Sequence, residues 1–388
     1  MGLFKCWIDR QKRTVTGTFD GNGAEITADC ILFAETDGAV IKNVNINSHV
    51  YNEKSAGIVQ VANNTSIDNC DIYISLNYGI CGGIAAEAYN STITNCCVTA
   101  TGYIYEFGGI VYSTSGNTVI ANCVLKNSGV NVTSLYGGIV GEACGKTEIY
   151  NCANSDIFNS RRSGGIVSYA EMSGLTLENN MYYEENDCYD VYYDIEKDEC
   201  ISQMVDKDST VSEQDAEGLY IPAKLNEYVR ANPNQVKGTT LKTCVDYNNE
   251  PCFANNKNPE FYLIKQSGVK ADTLINGNYA RGALPGYKVT VCGIADGAVV
   301  AVTDVNGNDI KLTTNENGYE FTMPECDVTV SAVLDTGISE TTVIDGKTYV
   351  VVKNASDFVK AVKSIADGNK RIKRIYSREY KSYGRGIG

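Results

Sequence analysis

The sequence predicts a mainly β protein built on a right-handed parallel β-helix, and three observations carry that expectation. A four-residue signature returns six times: IKNV at 41–44, IDNC at 67–70, ITNC at 93–96, IANC at 120–123, IYNC at 149–152 and LENN at 177–180. Its asparagines, Asn43, Asn69, Asn95, Asn122, Asn151 and Asn179, lie 26, 26, 27, 29 and 28 positions apart. A glycine signature keeps step with it, from AGIV at 56–59 through GGIA at 82–85 to GGIV at 108–111, 137–140 and 164–167, and supplies Gly57, Gly83, Gly109, Gly138 and Gly165. Between the motifs the apolar residues alternate: Val44 and Ile46, then Cys70, Ile72 and Ile74, then Cys96, Val98 and Ala100, then Cys123 and Leu125.

A fixed period of this size belongs to a stacked solenoid, because one unit cannot bury its own apolar face and must lie on a copy of itself. Alternation with period two is strand rather than helix. The units are rich in Val, Ile, Thr, Asn, Tyr and Gly, which excludes the helical repeats of similar length.

The alternation slips by one across each asparagine, so the chain bends there. Asn takes the left-handed conformation at little of the ~1–2 kcal/mol that other side chains lose, and its amide is free to bond the asparagine stacked above and below. The glycine pairs mark a second place that needs either positive φ or close approach between coils. Stacking at ~4.8 Å then places Cys70, Cys96, Cys123 and Cys152 in one interior column.

GTFDGNGAEI at 17–26 resembles the opening coil of bacterial surface proteins that carry GLUG repeats, and GGIVGEACGKTEIYNC at 137–152 resembles the repeat itself. The resemblance covers roughly 16–183 and implies a secreted or wall-displayed β-helix without naming a catalytic residue. GLUG repeats also accompany immunoglobulin-A peptidase domains, but the chain has no HExxH zinc motif, so that activity does not carry over.

The 388 residues leave room for two or three domains, and a formal net charge of −14 argues against nucleic acid or anionic lipid as partner. No apolar run reaches the ~18–20 residues of a membrane span. The segment MGLFKCWIDRQKR lacks the apolar core of a signal peptide and enters the first coil almost at once, which points to an internal start within a larger multidomain protein. Of the 15 cysteines, those at repeat positions are expected to be reduced, buried hydrophobes. Cys188, Cys200, Cys244, Cys252, Cys292 and Cys326 fall in close pairs, where bridges are expected if the protein is exported.

The expected domains are a β-helix over 1–185, an acidic loop, helix and capping segment over 186–286, a β-sandwich module over 287–335, and an incomplete further module with a basic tail over 336–388. Asp187, Asp190, Asp194, Glu196 and Asp198 lack EF-hand spacing and read as a solvated acidic loop. AKLNEYVRANP at 223–233 reads as a helix with Leu225, Tyr228 and Val229 on one face and Pro233 as its stop, resembling the segment that closes the coil end after GLUG repeats. Five alternating strands follow over 287–334, with Asn306-Gly307 as a hairpin turn, and resemble the small immunoglobulin-like repeats of bacterial surface proteins. Beyond them, a strand from Lys347 and a helix capped by Ser356 or Asp357 begin a further module.

No catalytic residue, metal site or cofactor is expected. The one histidine, His49, is placed in a turn after Ile46 without aspartates nearby, and Arg371-Ile372-Lys373 lies outside the solenoid. Glu87 and Glu142 could approach only across an intervening coil, near ~10 Å, which suits an inverting pair but also an ordinary solvent face. A binding role is the better reading: Tyr89, Tyr112 and Tyr169 follow the glycine motifs, and Phe107 and Tyr136 precede them as a candidate aromatic strip for glycans. The partners expected are glycans or cell-surface proteins. Together these features point to a non-enzymatic, adhesin-like surface protein, with a carbohydrate-active enzyme or a plain stalk as the alternatives.

Overall fold

The computed structural model describes residues 14–50, 53–126, 129–156, 160, 162–183, 188–201, 204–206, 209–232, 236, 239–247, 250–252, 260–268, 270–294, 298–334, 341–344, 347–352 and 375–377. The chain forms two compact units, Met1–Phe261 and Tyr262–Gly388.

The first unit is the expected parallel β-helix. Its first sheet stacks seven parallel strands, from Thr18–Asp20 through Val40–Lys42, Ser66–Asp68, Thr92–Thr94, Asn117–Ala121 and Lys146–Tyr150 to Leu175–Glu178. Each delivers the chain to an asparagine corner: Asn43, Asn69, Asn95, Asn122, Asn151 and Asn179 have φ between 52° and 56°. The second sheet follows the corner, with Asn45–Val50, Asp71–Asn77 and Cys97–Gly108 in parallel register, so that Ile46, Ile72 and Val98 stack inward. The third sheet begins after the glycine pair and runs from Phe33–Asp37 through Val59–Asn63, Ala85–Tyr89, Val111–Ser115, Val140–Ala143 and Val167–Ala170 to Val191–Asp194.

The glycine pairs serve close approach rather than positive φ. A Cβ on Gly83 would lie 2.2 Å from the Gly109 carbonyl oxygen, and one on Gly109 would lie 1.9 Å from that of Gly138. The second set of left-handed corners stands instead between the third and first sheets, at Gly38, Asn64, Asn90, Gly116 and Gly145. Cys70, Cys96, Cys123 and Cys152 are buried thiols inside the coil, and burial pushes the first three well above the ordinary thiol range.

The parallel ladders continue past 185. The acidic segment supplies the seventh strand of the third sheet, and Asp190 and Asp194 are fully buried rather than solvated. Asp190 accepts the N–H groups of Val205 and Asp206, and Asp194 accepts those of Glu196 and Lys197. Asp187 lies outside the described residues. Glu199–Cys200 turns back antiparallel on Val191–Asp194, and Thr210–Val211 adds to the second sheet.

The helix, Tyr220–Ala231, does not cap the coil end. It lies along the flank of the solenoid, with Ile221 and Leu225 packed on Cys97, Val124, Ala153 and Met181, and Tyr228 and Val229 packed with Val119 and Ala121. The cause is legible in one outward column, which is polar at Asn45 and Asp71 and turns apolar from Cys97 onward. Apolar surface of that kind needs cover, each buried side chain contributing about 1.5–3 kcal/mol. Pro222 fits the first turn, where no intrahelical N–H is needed. Pro233 lies outside the described residues.

In the second unit, two sheets share one core of Ile264, Val289, Val291, Val302, Phe321, Val328 and Val330. One sheet holds Gly282–Ala283, Tyr262–Gly268, Val328–Leu334 and Ala298–Asp304; the other holds Asn278–Tyr279, Asp272–Ile275, Lys288–Cys292, Gly318–Thr322 and Thr313–Asn315. The β module thus takes in strands from 262 onward as well as those after 287. At the Asn306-Gly307 turn, the Asp304 carboxylate accepts the backbone N–H groups of Asn306 and Asn308 and the Asn308 amide, bonds that hold it below the usual carboxylate range. Cys188, Cys200, Cys244, Cys292 and Cys326 carry thiols, so the bridges expected among the later cysteines are not formed at these five; the side chain of Cys252 is outside the described residues. A strand from Lys347, Lys347–Val352, pairs with Thr341–Ile344 and Ile375–Ser377, while Ser356, Asp357 and the 371–373 tripeptide lie outside the described residues.

Candidate binding groove

The glycine bend brings outward side chains of the second and third sheets face to face. One wall is the register column Lys54, Ile80, Glu106, Leu135 and Arg162. The other is Glu35, Val61, Glu87, Ser113, Glu142, Tyr169 and Tyr193. Between the walls lies the row that contains Tyr112, Gly141 and Tyr192. The groove is narrow enough for Lys54 on one wall to pair with Glu87 on the other.

Tyr112 is the centre of this surface. Its ring covers Gly141, where a Cβ would come within 2.9 Å of the ring edge, and Lys54 Nζ stands 5.9 Å from the ring centroid. The Tyr112 hydroxyl donates to Glu106 Oε2 at 2.5 Å. Burial and the neighbouring carboxylates of Glu106 and Glu142 push the phenol up. Burial also holds the Glu142 carboxyl above its ordinary range; Glu106 adds to the effect, and the Tyr112 hydroxyl and Lys54 oppose it. Glu87 and Glu142 occupy one column with Ser113 between them, hence two strand spacings or about 10 Å apart.

Toward the last coils the acids give way to rings. Tyr169 lies 4.9 Å from Tyr193 and 5.9 Å from Tyr192, centroid to centroid, and Tyr192 and Tyr193 stack at 6.3 Å. The Asp198 carboxylate accepts the Tyr193 hydroxyl and pushes that phenol up to about 12. From Glu87 to Tyr193 the column spans four steps, roughly 19 Å at the strand spacing. A strip of this kind offers hydrogen-bond acceptors at one end and flat amphipathic rings at the other.

Of the five aromatic residues expected to bind a ligand, three lie on the third sheet's outward side: Tyr112 and Tyr169 in the groove, and Tyr89 exposed two residues beyond Glu87. Phe107 and Tyr136 do not. Both are fully buried inside the coil with ring centroids 6.1 Å apart, and the Tyr136 hydroxyl donates to Asn154 Oδ1 and Asp156 Oδ2 at 3.3 Å each. The cause is an irregularity: the N–H groups of Tyr105 and Glu106 both donate to the Gly79 carbonyl, so two successive side chains face outward and Phe107 returns to the inside. His49 belongs to the strand Asn45–Val50, beside Ser75, rather than to a turn.

Lys54, Glu106, Arg162, Tyr192 and Tyr193 were not expected in the site. Lys54, Glu106 and Arg162 each stand two residues before a glycine motif, and that position could have found them; the coil of Tyr192 and Tyr193 carries no such motif, and only the register with Tyr169 places them. Comparison with protein-family models, curated proteins and solved structures finds no match to this chain.

Proposed function

We infer that the protein is a non-enzymatic, adhesin-like protein of the bacterial surface or its surroundings, whose β-helix presents the groove to an extended glycan or protein segment. The observation that supports this most is the continuity of the groove: one register column carries acids and then stacked tyrosines over successive coils, on a rigid scaffold. Rigid sheets hold such a surface in binding geometry without an ordering cost on association. The resemblance of 137–152 to GLUG repeats supports display outside the cell, and the second unit serves in this reading as an immunoglobulin-like spacer. The test is an array of glycans and extracellular proteins probed with the full chain and with a Glu142→Gln/Tyr169→Ala variant. Saturable binding that the variant loses supports the reading; binding unchanged in the variant, or none at all, contradicts it.

A further inference from the structure

A second aromatic surface lies beyond the Glu106 wall. Tyr78, Tyr103 and Tyr105 are the three most exposed large aromatic side chains among the described residues, at 75%, 68% and 52%. They gather on two adjacent coils: Tyr78 N–H donates to the Tyr103 carbonyl at 2.8 Å, Asn77 stands beside Tyr103 in register, and Tyr105 N–H donates to the Gly79 carbonyl at 2.9 Å.

Tyr78 is held outward against local preference. The register pairs Asn77 with Tyr103 and Ile80 with Glu106, which sets Tyr78 level with Ile104, a core residue. The side chain at the same level in the next coil therefore lies in the core. Instead Tyr78 and Gly79 take φ of 75° and 95°, and the ring turns to solvent. A bulky residue at positive φ is an outlier, and strain of this sort gathers at ligand sites. Exposing three large rings together is also unusual for a surface with no partner.

We propose that Tyr78, Tyr103 and Tyr105 form a stacking platform for the pyranose rings of a neutral polysaccharide. The chemistry of the patch selects this occupant. Its apolar surface consists of phenol rings, which match the C–H face of a sugar; the amides of Asn77 and Asn131 flank Tyr103 in register, and the hydroxyls of the Thr101–Ser75 pair stand two residues before, matching the sugar's hydroxyl edge. None of these four is charged, so an anionic or cationic polymer gains no ion pair from them. The platform shares no residue with the groove and borders its Glu106 wall through Tyr105.

The test is native electrophoresis of the full chain in gels containing hydroxyethylcellulose, xylan or galactomannan. Retardation by at least one of the three is expected, with apparent affinity falling at least tenfold in Tyr103→Ala/Tyr105→Ala. Tyr287→Ala, an exposed tyrosine of the second unit, is the control and leaves mobility unchanged. Tyr78→Gly relieves the left-handed strain and removes the ring, so it lowers affinity several-fold while Tm stays level or rises; that separates loss of binding from loss of fold. Retardation by none of the three polymers, or retardation unchanged in the double variant, overturns the proposal. So does a concentration-dependent dimer abolished by the same substitutions, because the patch then serves contact between copies of the chain.

Discussion

The side-chain amide of Asn122 donates to Asn95 Oδ1 at 2.7 Å, and the same oxygen accepts the backbone N–H of Lys242 at 2.8 Å. The asparagine ladder is therefore also the docking line of the segment that follows the flank helix. Asn122 Nδ2 donates a second bond to the Lys242 carbonyl, and Asn151 Nδ2 donates to both Asn122 Oδ1 and the Leu225 carbonyl. Asn95 turns its own amide to Asp68 Oδ1 and the Thr240 carbonyl instead of to Asn69. Asn122→Asp keeps a residue that accepts positive φ but sets a carboxylate against two carbonyl oxygens in a buried site. It is expected to lower unfolding free energy by about 3 kcal/mol, read from urea denaturation.

Corner strain is tested best at the start of the ladder, away from the segments docked on Asn95, Asn122 and Asn151. Asn43, at φ 55° and half-buried, donates to Asp20 Oδ1 at 2.9 Å. Asn43→Val places a β-branched side chain at positive φ and should cost more than Asn43→Gly, by about 1–2 kcal/mol. Equal Tm for the two variants would remove strain as the reason for asparagine at the corners.

The inward phase is tested at Cys123, which is fully buried in the thiol column. Cys123→Asp puts a carboxylate into an apolar interior and should cost several kcal/mol, whereas Cys123→Val should stay within about 1.5 kcal/mol. Thermal denaturation of the two proteins side by side distinguishes them.

Glu142 gives a pH signature. Its folded pKa is raised, chiefly by burial, so the folded carboxyl holds its proton to higher pH than the unfolded one. Below the unfolded value both states are protonated and no penalty exists; as pH rises through the folded value, the ionised carboxylate becomes a cost. Glu142→Gln should therefore raise Tm at pH 7, by less than about 1 kcal/mol in stability after solvent screening, and the gain should vanish near pH 4. A gain that grows toward acid would contradict the assignment.

The solenoid is open to reading in the sequence because each coil repeats the same local conflict: an alternating apolar strand interrupted by a residue that accepts positive φ. Phase within the coil is harder. Phe107 and Tyr105 differ by two positions and, under simple alternation, share a face; the extra outward residue at Glu106 separates them, and only the stacked register exposes it. The flank helix was visible through Leu225, Tyr228 and Val229, but its seat was hidden because it depends on the outward column from Cys97 to Met181, which is assembled from four coils. The groove has the same origin, since Lys54 and Glu87 are 33 residues apart and meet only across two coils.

A single experiment that reads binding and turnover together decides whether the groove binds or catalyses. Purified full chain is incubated with a panel of polyuronates and neutral glycans, with and without calcium, while bound polymer, released reducing ends and unsaturated-uronide absorbance are followed. Saturable binding, reduced by Glu142→Gln/Tyr169→Ala, with no product, is expected. Product that disappears on Glu142→Gln or Glu87→Gln would contradict it and make the groove an active site.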